Sequence, residues 1–507
     1  MIHTKRRKKG AKDCLRDLLA RSAKQLLWQP EKWGYWHVVL AKIASRDVKE
    51  DICMLFPVRI MAIFLVCCFI LVFCSCKENT TDTKAASNGS RISKAPPRVD
   101  LNNPADYCVW LNEHFAVGKD KDARFIYEPF WGKRGEQAML AKPSDDVGGL
   151  LFELANGPTW TPDAYPLVDD YIQSVHEQLI IFKRAVSKVD YAACFFEDST
   201  GLLLPDYSPG KLAVATLLAQ GWQAGPDQCD RLLKAWTVGL GHARHLEGTS
   251  ERFSIGAGWK VRRIVYQSMA MAIQRQVLTA SDFERLNDIL CDLVLAPKDI
   301  SNLVLAEWAK ACGAITLFYP NGRLNEEMVD MLAGVDVRDV KRVSISAEKL
   351  IGYTEAYFTD YMAIARTPLD AKLLKKAVAL ETQFAQGPLA NYPLRRWIVP
   401  PLGHVLHAEL YSVAASRAHS LIVKLAARQL QTGSWPSALS EIAATSDCSI
   451  LKDPFDGGEF CYKDDKDGYV LYSVGPDGVD DGGQPGTISL YKPLAPHTDI
   501  VFWPPHL

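Results

Sequence analysis

Hydrophobic residues recur every three or four positions through the long middle of the chain, from about residue 104 to residue 430. Two such series are Ile172, Val175, Leu179, Phe182 and Val186, and Leu410, Ala414, Ala418, Leu421 and Leu425. This spacing places apolar side chains on one face of an α-helix. The pattern therefore predicts a mainly α-helical protein, whose successive helices form antiparallel pairs across short links.

Local sequence signals predict where two of these helices begin and end. Ser281 and Glu284 have the spacing of a capping box, in which both side chains bond to backbone N–H groups at a helix start. Gly433, followed by Trp435 and Pro436, interrupts the last long helical pattern, because glycine and proline terminate helices. We therefore expect a helix to open at Ser281 and a long helix to cover 404–430.

Beyond this long helix the hydrophobic period changes to two. Alternating runs flank Asp467 and Gly468, and an Asp-Gly between such runs is a strong β-hairpin signal. Further short strands are predicted at 487–491 and 499–503. The alternating residues are Phe460 and Tyr462 before the turn, and Tyr469, Leu471 and Ser473 after it. The pattern predicts a small C-terminal α+β module with an antiparallel β-meander.

A continuous apolar run precedes the helical region. Ile60–Phe73 contains fourteen residues whose only polar groups are two thiols. A run of this length with no polar face is typical of a signal or transmembrane segment. The basic residues before it predict a cytoplasmic N-terminus and an exported remainder of the chain.

The net charge of −1 over 507 residues conceals an asymmetry. Residues 1–57 carry 13 Lys and Arg against 6 Asp and Glu, and the rest of the chain carries 45 against 53. The near-neutral total gives no electrostatic basis for nucleic-acid binding. Two explanations of 1–57 stay open: a basic amphipathic arm in the cytoplasm, or an over-extended start ahead of Met54.

Composition divides the chain into five segments. Residues 77–103 are polar and rich in Ser, Thr, Asn and Pro, which is typical of a flexible linker. The predicted segments are a basic N-terminal arm at 1–57, a signal or transmembrane segment at 58–76, the linker at 77–103, an α-helical domain at 104–403, and a long helix with the β-module at 404–507. Together they predict a membrane-anchored protein on the exported side of the cytoplasmic membrane or in the cell envelope.

Two parts of the chain resemble known kinds of exported protein. The segment Phe73-Cys74-Ser75-Cys76 resembles a lipoprotein processing site, which implies that Cys76 is acylated and becomes the mature N-terminus. The alternative is that the segment stays as a transmembrane helix. The helical region is similar to uncharacterised exported proteins of the planctomycete type, and this similarity implies no activity.

The C-terminal part carries a more specific order of motifs. A helix ending at Gly433 is followed by a Trp-Pro turn, by 453–457 (DPFDG), and by 468–483, which contains the sequence SVGPDGVDDGG. This order resembles the C-terminal domain of the major pseudopilins of type II secretion systems. The resemblance implies a pseudopilin-like fold, envelope or secretion proteins as partners, and a calcium-binding loop. The loop positions that match are Asp477, Asp480 and Asp481.

Two segments share the pattern H-x-x-H-x-E, one containing His242 and His245 and the other containing His404 and His407. Histidines three residues apart lie on one face of a helix, so each pair could bind a transition metal or haem. Two such helices could build a four-histidine site in a bundle. Polar contacts on a helix face or packing at an interface would explain the same spacing.

The remaining candidates concern cysteine and catalysis. Cys448 and Cys461 are the best disulfide pair, because both lie in a short module with little core of its own. No complete catalytic motif occurs in the chain, so the sequence favours binding or assembly over catalysis. An exported metal- or haem-binding enzyme that uses the four histidines is the alternative.

Overall fold

A computed structural model of the protein describes residues 95–131, 140–192, 196–198, 201–203, 206–293, 295, 298–332, 334–443, 448–465, 468–486 and 498–505. The predicted arm at 1–57, the predicted signal or transmembrane segment at 58–76 with Cys76, residues 77–94 of the predicted linker and the predicted strand at 487–491 lie outside these residues. Within the described ranges, no helix has both the length and the apolar character needed to cross a membrane.

The described part is mainly α-helical, as predicted. The helices before residue 300 are α1 (Tyr107–His114), α2 (Arg124–Trp131), α3 (Asp145–Ala155), α4 (Pro166–Ser174), α5 (His176–Val186), α6 (Ser208–Trp222), α7 (Gln228–Glu247), α8 (Arg252–Gln274) and α9 (Ala280–Leu293). The later helices are α10 (Ser301–Phe318), α11 (Glu326–Asp330), α12 (Val337–Val343), α13 (Ala347–Ala365), α14 (Ala371–Ala385), α15 (Arg395–Ile398), α16 (Gly403–Thr432) and α17 (Ser440–Ala443).

Two small antiparallel sheets accompany the helices. Strands β1 (Phe196–Asp198) and β2 (Gly201–Leu203) form a hairpin, and β3 (Cys461–Asp465), β4 (Gly468–Ser473) and β5 (Ile500–Trp503) form a three-stranded sheet in the order β3-β4-β5. In the β3–β4 ladder, Asp465 pairs with Gly468. The predicted hairpin and the predicted strand at 499–503 are therefore confirmed.

The start of α9 differs from the prediction. The helix begins at Ala280, and its reciprocal cap is made by Thr279 and Asp282 instead of Ser281 and Glu284. Asp282 accepts hydrogen bonds from the backbone N and the Oγ1 of Thr279 at 3.0 and 2.7 Å. The prediction was wrong because Thr279 and Asp282 have the same spacing of hydroxyl and acid two residues earlier, and the buried Asp282 is the acid that reaches back.

The long C-terminal helix is confirmed and organises the core. Helix α16 ends at Gly433, whose φ of 77° is the left-handed conformation that glycine adopts without strain. Most of α16 is buried, and it packs against α8, α9 and α14 as well as against strands β4 and β5. The three-stranded sheet therefore shares its core with the helices.

The contacts divide the chain into two units. Ala95–Val329 and Asp336–Leu507 form one compact unit, and Met1–Lys94 with Asp330–Val335 form the other. The predicted boundary between residues 403 and 404 lies inside the first unit. Aromatic side chains join the sheet to α16 there, since the Phe502 ring lies 6.0 Å from Tyr411 and 6.2 Å from His419. We call this junction of α8, α16 and β5 the seam.

Candidate functional site

A glycine on α8 lets two helices approach unusually closely beside the seam. A Cβ atom at Gly258 would lie 2.6 Å from Cγ of Glu247 and 2.9 Å from the carbonyl oxygen of Ala243. No real Cβ tolerates such distances, so only glycine permits this approach of α8 to the C-terminal end of α7. The close contact brings Glu247 within reach of side chains one turn further along α8.

Glu247 and Arg262 form a buried ion pair at this contact. Both are almost fully buried, with 2% and 1% of their surfaces exposed. Nη2 of Arg262 donates to Oε2 of Glu247 at 2.7 Å, and Nε lies 3.0 Å from both carboxylate oxygens. Burial opposes the charge of the guanidinium, but Glu247 and Tyr266 together outweigh this effect and raise the pKa of Arg262 above its ordinary value.

Helix α16 adds a second carboxylate and a hydroxyl to this pair. Ser412 donates to Oε1 of Glu247 at 3.1 Å. Glu409, one turn earlier, is paired with Nζ of Lys298 at 2.8 Å, and the same ammonium donates to the backbone carbonyl of Glu247. Burial raises the pKa of Glu409, and Lys298 partly offsets that effect. The glutamates of the two H-x-x-H-x-E segments thus belong to one buried polar network.

A further set of charges lies at the α7–α8 link and on α10. Glu251 is buried, caps α8 by accepting from the backbone N of Ser254 at 2.7 Å, and is paired with Nζ of Lys310 at 3.2 Å. Lys310 also contacts the buried carboxylate of Glu307, which lies 3.7 Å from Arg252. Both Glu251 and Glu307 thus have cationic partners, which offset the cost of desolvating their charges.

The seam contains a cavity of about 360 Å³. Its walls come from α8, α16, strand β5 and the turn before 487, so it exists only where the helices and the C-terminal sheet meet. Four aromatic rings line it, together with Arg262, Arg263, Ser412 and His419. The rings belong to Trp259, Tyr266, Tyr411 and Phe502.

The polar groups of this cavity have defined hydrogen-bonding roles. Nη1 of Arg262 donates to the hydroxyl of Tyr266 at 3.1 Å, so the Tyr266 proton is available to another acceptor. Nδ1 of His419 lies 2.8 Å from the carbonyl of Ala415, which can only accept, so the proton is on Nδ1 and Nε2 is an acceptor. Burial lowers the pKa of His419 to about 4, which keeps this imidazole neutral at pH 7. The His419 ring is stacked on Tyr266 with centroids 4.0 Å apart.

His242 and His245 share the hydroxyl of Tyr127. Their Nδ1 atoms lie 2.9 and 3.3 Å from it, and Nε2 of His245 lies 2.9 Å from the carbonyl of Lys188. Because that carbonyl can only accept, Nε2 of His245 carries the proton and its Nδ1 accepts from Tyr127. Burial lowers the pKa of both histidines, that of His245 to about 4. These contacts connect α7 to α2 and to the segment after α5.

His404 and His407 have different surroundings. The charges of Arg252 and Glu307 act on His404. The ring centre of His407 lies 5.9 Å from that of Phe455. Burial lowers the pKa of each. Among the described residues, no group of three or more His, Cys, Asp or Glu side chains is arranged to hold a metal ion. The structure therefore does not assemble the four-histidine site, and metal or haem binding stays a prediction.

The aspartates of the predicted calcium loop make hydrogen bonds to the loop, to strand β4 and to Asp499. Asp477 accepts from the backbone N of Val479 at 3.2 Å. Asp480 accepts from the hydroxyl of Tyr472 at 2.8 Å, and the backbone N of Asp481 donates to Asp499 at 3.4 Å. Asp499 is fully buried and its pKa is raised by burial, although backbone N–H groups oppose this. The calcium site stays a prediction, and Asp499 is a fourth carboxylate beside it that the sequence did not identify.

The structure describes the side chain of only one cysteine of the predicted disulfide. Cys461 opens strand β3 as a free, half-buried cysteine whose thiol pKa is raised by burial. The side chain of Cys448 lies outside the described residues, so its pairing with Cys461 stays a prediction.

The sequence did not identify the seam, although one signal was present. Arg262 lies at helical spacing from Trp259, Val265 and Tyr266, which are buried on the same face of α8. A charged residue on a buried helix face requires a buried partner. The partner, Glu247, was visible only as the last residue of a histidine pattern. Nothing in the sequence pointed to Phe502, because its role depends on where the sheet packs.

Comparisons of the chain with protein-family models, with curated proteins and with solved structures give no match.

Proposed function

We propose that the protein is a membrane-anchored protein of the cell envelope that acts by binding rather than by catalysis. The observation that carries the binding role is the seam cavity, because it joins an aromatic lining to a few fixed polar groups. This combination is typical of sites for small molecules. In this proposal the helical region and the C-terminal sheet act together as one binding body.

The anchoring part of the proposal is supported by the order of segments along the chain. The apolar run Ile60–Phe73 and the polar residues that follow precede the compact unit, whose described part begins at Ala95. Residues 95–103 of the predicted linker belong to the compact unit. The remaining 18 residues (77–94), if flexible, would reach roughly 20–25 Å on average, at about 5–6 Å times the square root of the residue number. The binding body would thus stay close to the membrane surface.

Cell fractionation of the full chain tests this function. We expect the protein in the membrane fraction, released only by detergent, and digested by protease added from outside the cytoplasmic membrane. Deletion of 58–76 should leave the protein in the soluble fraction. Full-length protein that is freely soluble in the cytosol would contradict the proposal. Mass spectrometry of the mature N-terminus would separate acylated Cys76 from a retained transmembrane helix.

The C-terminal module is proposed to be pseudopilin-like and to bind calcium, with envelope or secretion proteins as partners. The three-stranded antiparallel sheet that follows a long helix supports the proposed fold. Four aspartates support the proposed calcium site: Asp477, Asp480, Asp481 and Asp499. Calcium should raise the thermal midpoint of the full chain, and Asp477→Ala should abolish the rise. Asp456→Ala is the matched control, because Asp456 accepts a similar turn bond from Gly458 at 2.8 Å outside this loop.

A further inference from the structure

The seam cavity has an excess of hydrogen-bond donors. Nε1 of Trp259 is buried and has no hydrogen-bond partner among the described residues, while 95% of the Trp259 surface is covered. This nitrogen is buried as an atom and offers a ligand no accessible surface, so Trp259 contributes its ring to the cavity wall. A hydrogen-bond acceptor in the cavity would bind to neighbouring donors instead.

Two neighbours of Trp259 supply such donors. The exposed guanidinium of Arg263 lies over the Trp259 ring, 5.4 Å from its centre, and both residues line the cavity. The hydroxyl proton of Tyr266 is available because Arg262 already donates to the oxygen. Within the described lining there is no acidic side chain. Glu247 balances the charge of Arg262 from behind, so Arg263 leaves the cavity with a net positive charge.

The rest of the lining indicates a flat ring. Trp259, Tyr411 and Phe502 supply apolar ring surface, and aromatic rings pack favourably against one another. Nε2 of His419 is an acceptor and therefore suits a ligand that also carries one N–H or O–H group. The cavity volume of about 360 Å³ is within the range of small-molecule sites.

From this geometry we infer that the seam cavity binds a small organic anion, a carboxylate attached to a planar ring. The carboxylate accepts hydrogen bonds from Tyr266 and Arg263, and the ring lies among the aromatic side chains. This inference deepens the proposed function, on whose binding role it rests.

Three probes with the same ring and different charges test the ligand class: indole-3-acetate, indole-3-acetamide and tryptamine. Their affinities are measured by titration calorimetry on the full chain in a neutral detergent. We expect indole-3-acetate to bind at least about ten-fold more tightly than the other two, which is the scale of one hydrogen bond to a charged group.

Variants locate the binding. Arg263→Gln should weaken indole-3-acetate about ten-fold or more and leave the amide nearly unchanged. Tyr266→Phe keeps the ring, removes the hydroxyl, and should weaken the binding of indole-3-acetate and of the amide alike. Arg275→Gln is the matched control, because Arg275 also lies over a tryptophan ring, that of Trp222 at 5.8 Å, at the other end of α8. It should change none of the affinities.

Different negative results would contradict the ligand class, the location of the site and the proposed function. Equal or tighter binding of the amide or of tryptamine would overturn the anionic class and leave the seam as a binding site. Full indole-3-acetate affinity in both Arg263→Gln and Tyr266→Phe would overturn the placement in the seam. A failure of all three probes would also overturn the inference. Failure of the proposed function would appear in the fractionation experiment, as a cytosolic protein.

Discussion

At the scale of single residues, one buried glutamate serves several hydrogen-bond donors at once. Glu247 alone accepts hydrogen bonds from Arg262 and Ser412 through its carboxylate and from Lys298 through its carbonyl. A buried ion pair adds little net stability, but removal of one member leaves the other charge buried and uncompensated. The free energy of unfolding should therefore respond much more to single replacements than to a double one.

Arg262→Met should lower the free energy of unfolding by about 3–5 kcal/mol, since it strands the carboxylate of Glu247. The double variant Glu247→Leu with Arg262→Met should lose clearly less, which urea titrations can measure. Arg342→Met is the control, because the Arg342–Asp339 pair has side chains 79% and 50% exposed and should contribute about 0–1 kcal/mol. A double variant that is as unstable as Arg262→Met alone, or less stable, would contradict this account.

The stability should also depend on pH through His245. Burial lowers its pKa from 6.5 to about 4, so the unfolded chain binds the proton more readily. This contribution is complete above pH 6.5 and is lost as the pH falls toward 4, by about 3 kcal/mol at 1.36 kcal/mol per unit. The difference in unfolding free energy between the parent and His245→Gln should shrink accordingly. Between pH 7 and 9 it should stay constant, and a flat difference from pH 7 to 4 would refute the assignment.

At the scale of elements, the contact of α7 with α8 depends on a missing side chain. Gly258 is helical, so it costs about 1 kcal/mol of helix propensity relative to alanine. The structure accepts this cost because the backbone of Ala243 and the side chain of Glu247 occupy the space of a Cβ. The polar network of the seam is thus positioned by packing as well as by charge.

Gly258→Ala should lower the free energy of unfolding by about 1–3 kcal/mol, because overpacking outweighs the better helix propensity. Gly352→Ala is the matched control, since Gly352 lies within α13 and a Cβ there would meet nothing within 4 Å. That replacement should stabilise the protein by about 0.5–1 kcal/mol. Thermal or urea unfolding of both variants measures these changes in the free energy of unfolding. If both variants were stabilised, the close approach of α7 and α8 would not require glycine at 258.

The elements were more predictable than the site for a physical reason. The hydrophobic period of three to four identified α16, and the Asp-Gly turn identified the β3–β4 hairpin, because both signals are local. The cap of α9 was displaced because two overlapping hydroxyl–acid spacings compete at Thr279 and Ser281. The sequence could not connect Trp259 with Phe502, because 243 positions separate them and only tertiary packing brings them to one cavity.

At the scale of the whole molecule, the long helix and the terminal sheet belong to one compact unit. Tyr411 and His419 on α16 pack against Phe502 of β5, so neither side can open without exposing aromatic surface of the other. The burial of shared apolar surface is what makes unfolding cooperative.

Hydrogen exchange of the full chain should therefore show one opening free energy for Gly403–Thr432 and for Gly468–Ser473. The two segments should lose protection together as urea increases, because both depend on the seam. Tyr411→Ala should lower both values by the same amount. Strand β4 exchanging through a separate, less stable opening would show that the sheet is an independent domain.

The position of Phe502 also makes the cavity sensitive to damage in the sheet. Val501, Phe502 and Pro505 contribute one of its walls, and the other walls come from α8, α16 and the turn before 487. A proteolytic cut ahead of Ile500 would leave α8 and α16 covalently intact and yet detach that wall. Loss of ligand uptake would then report the cut.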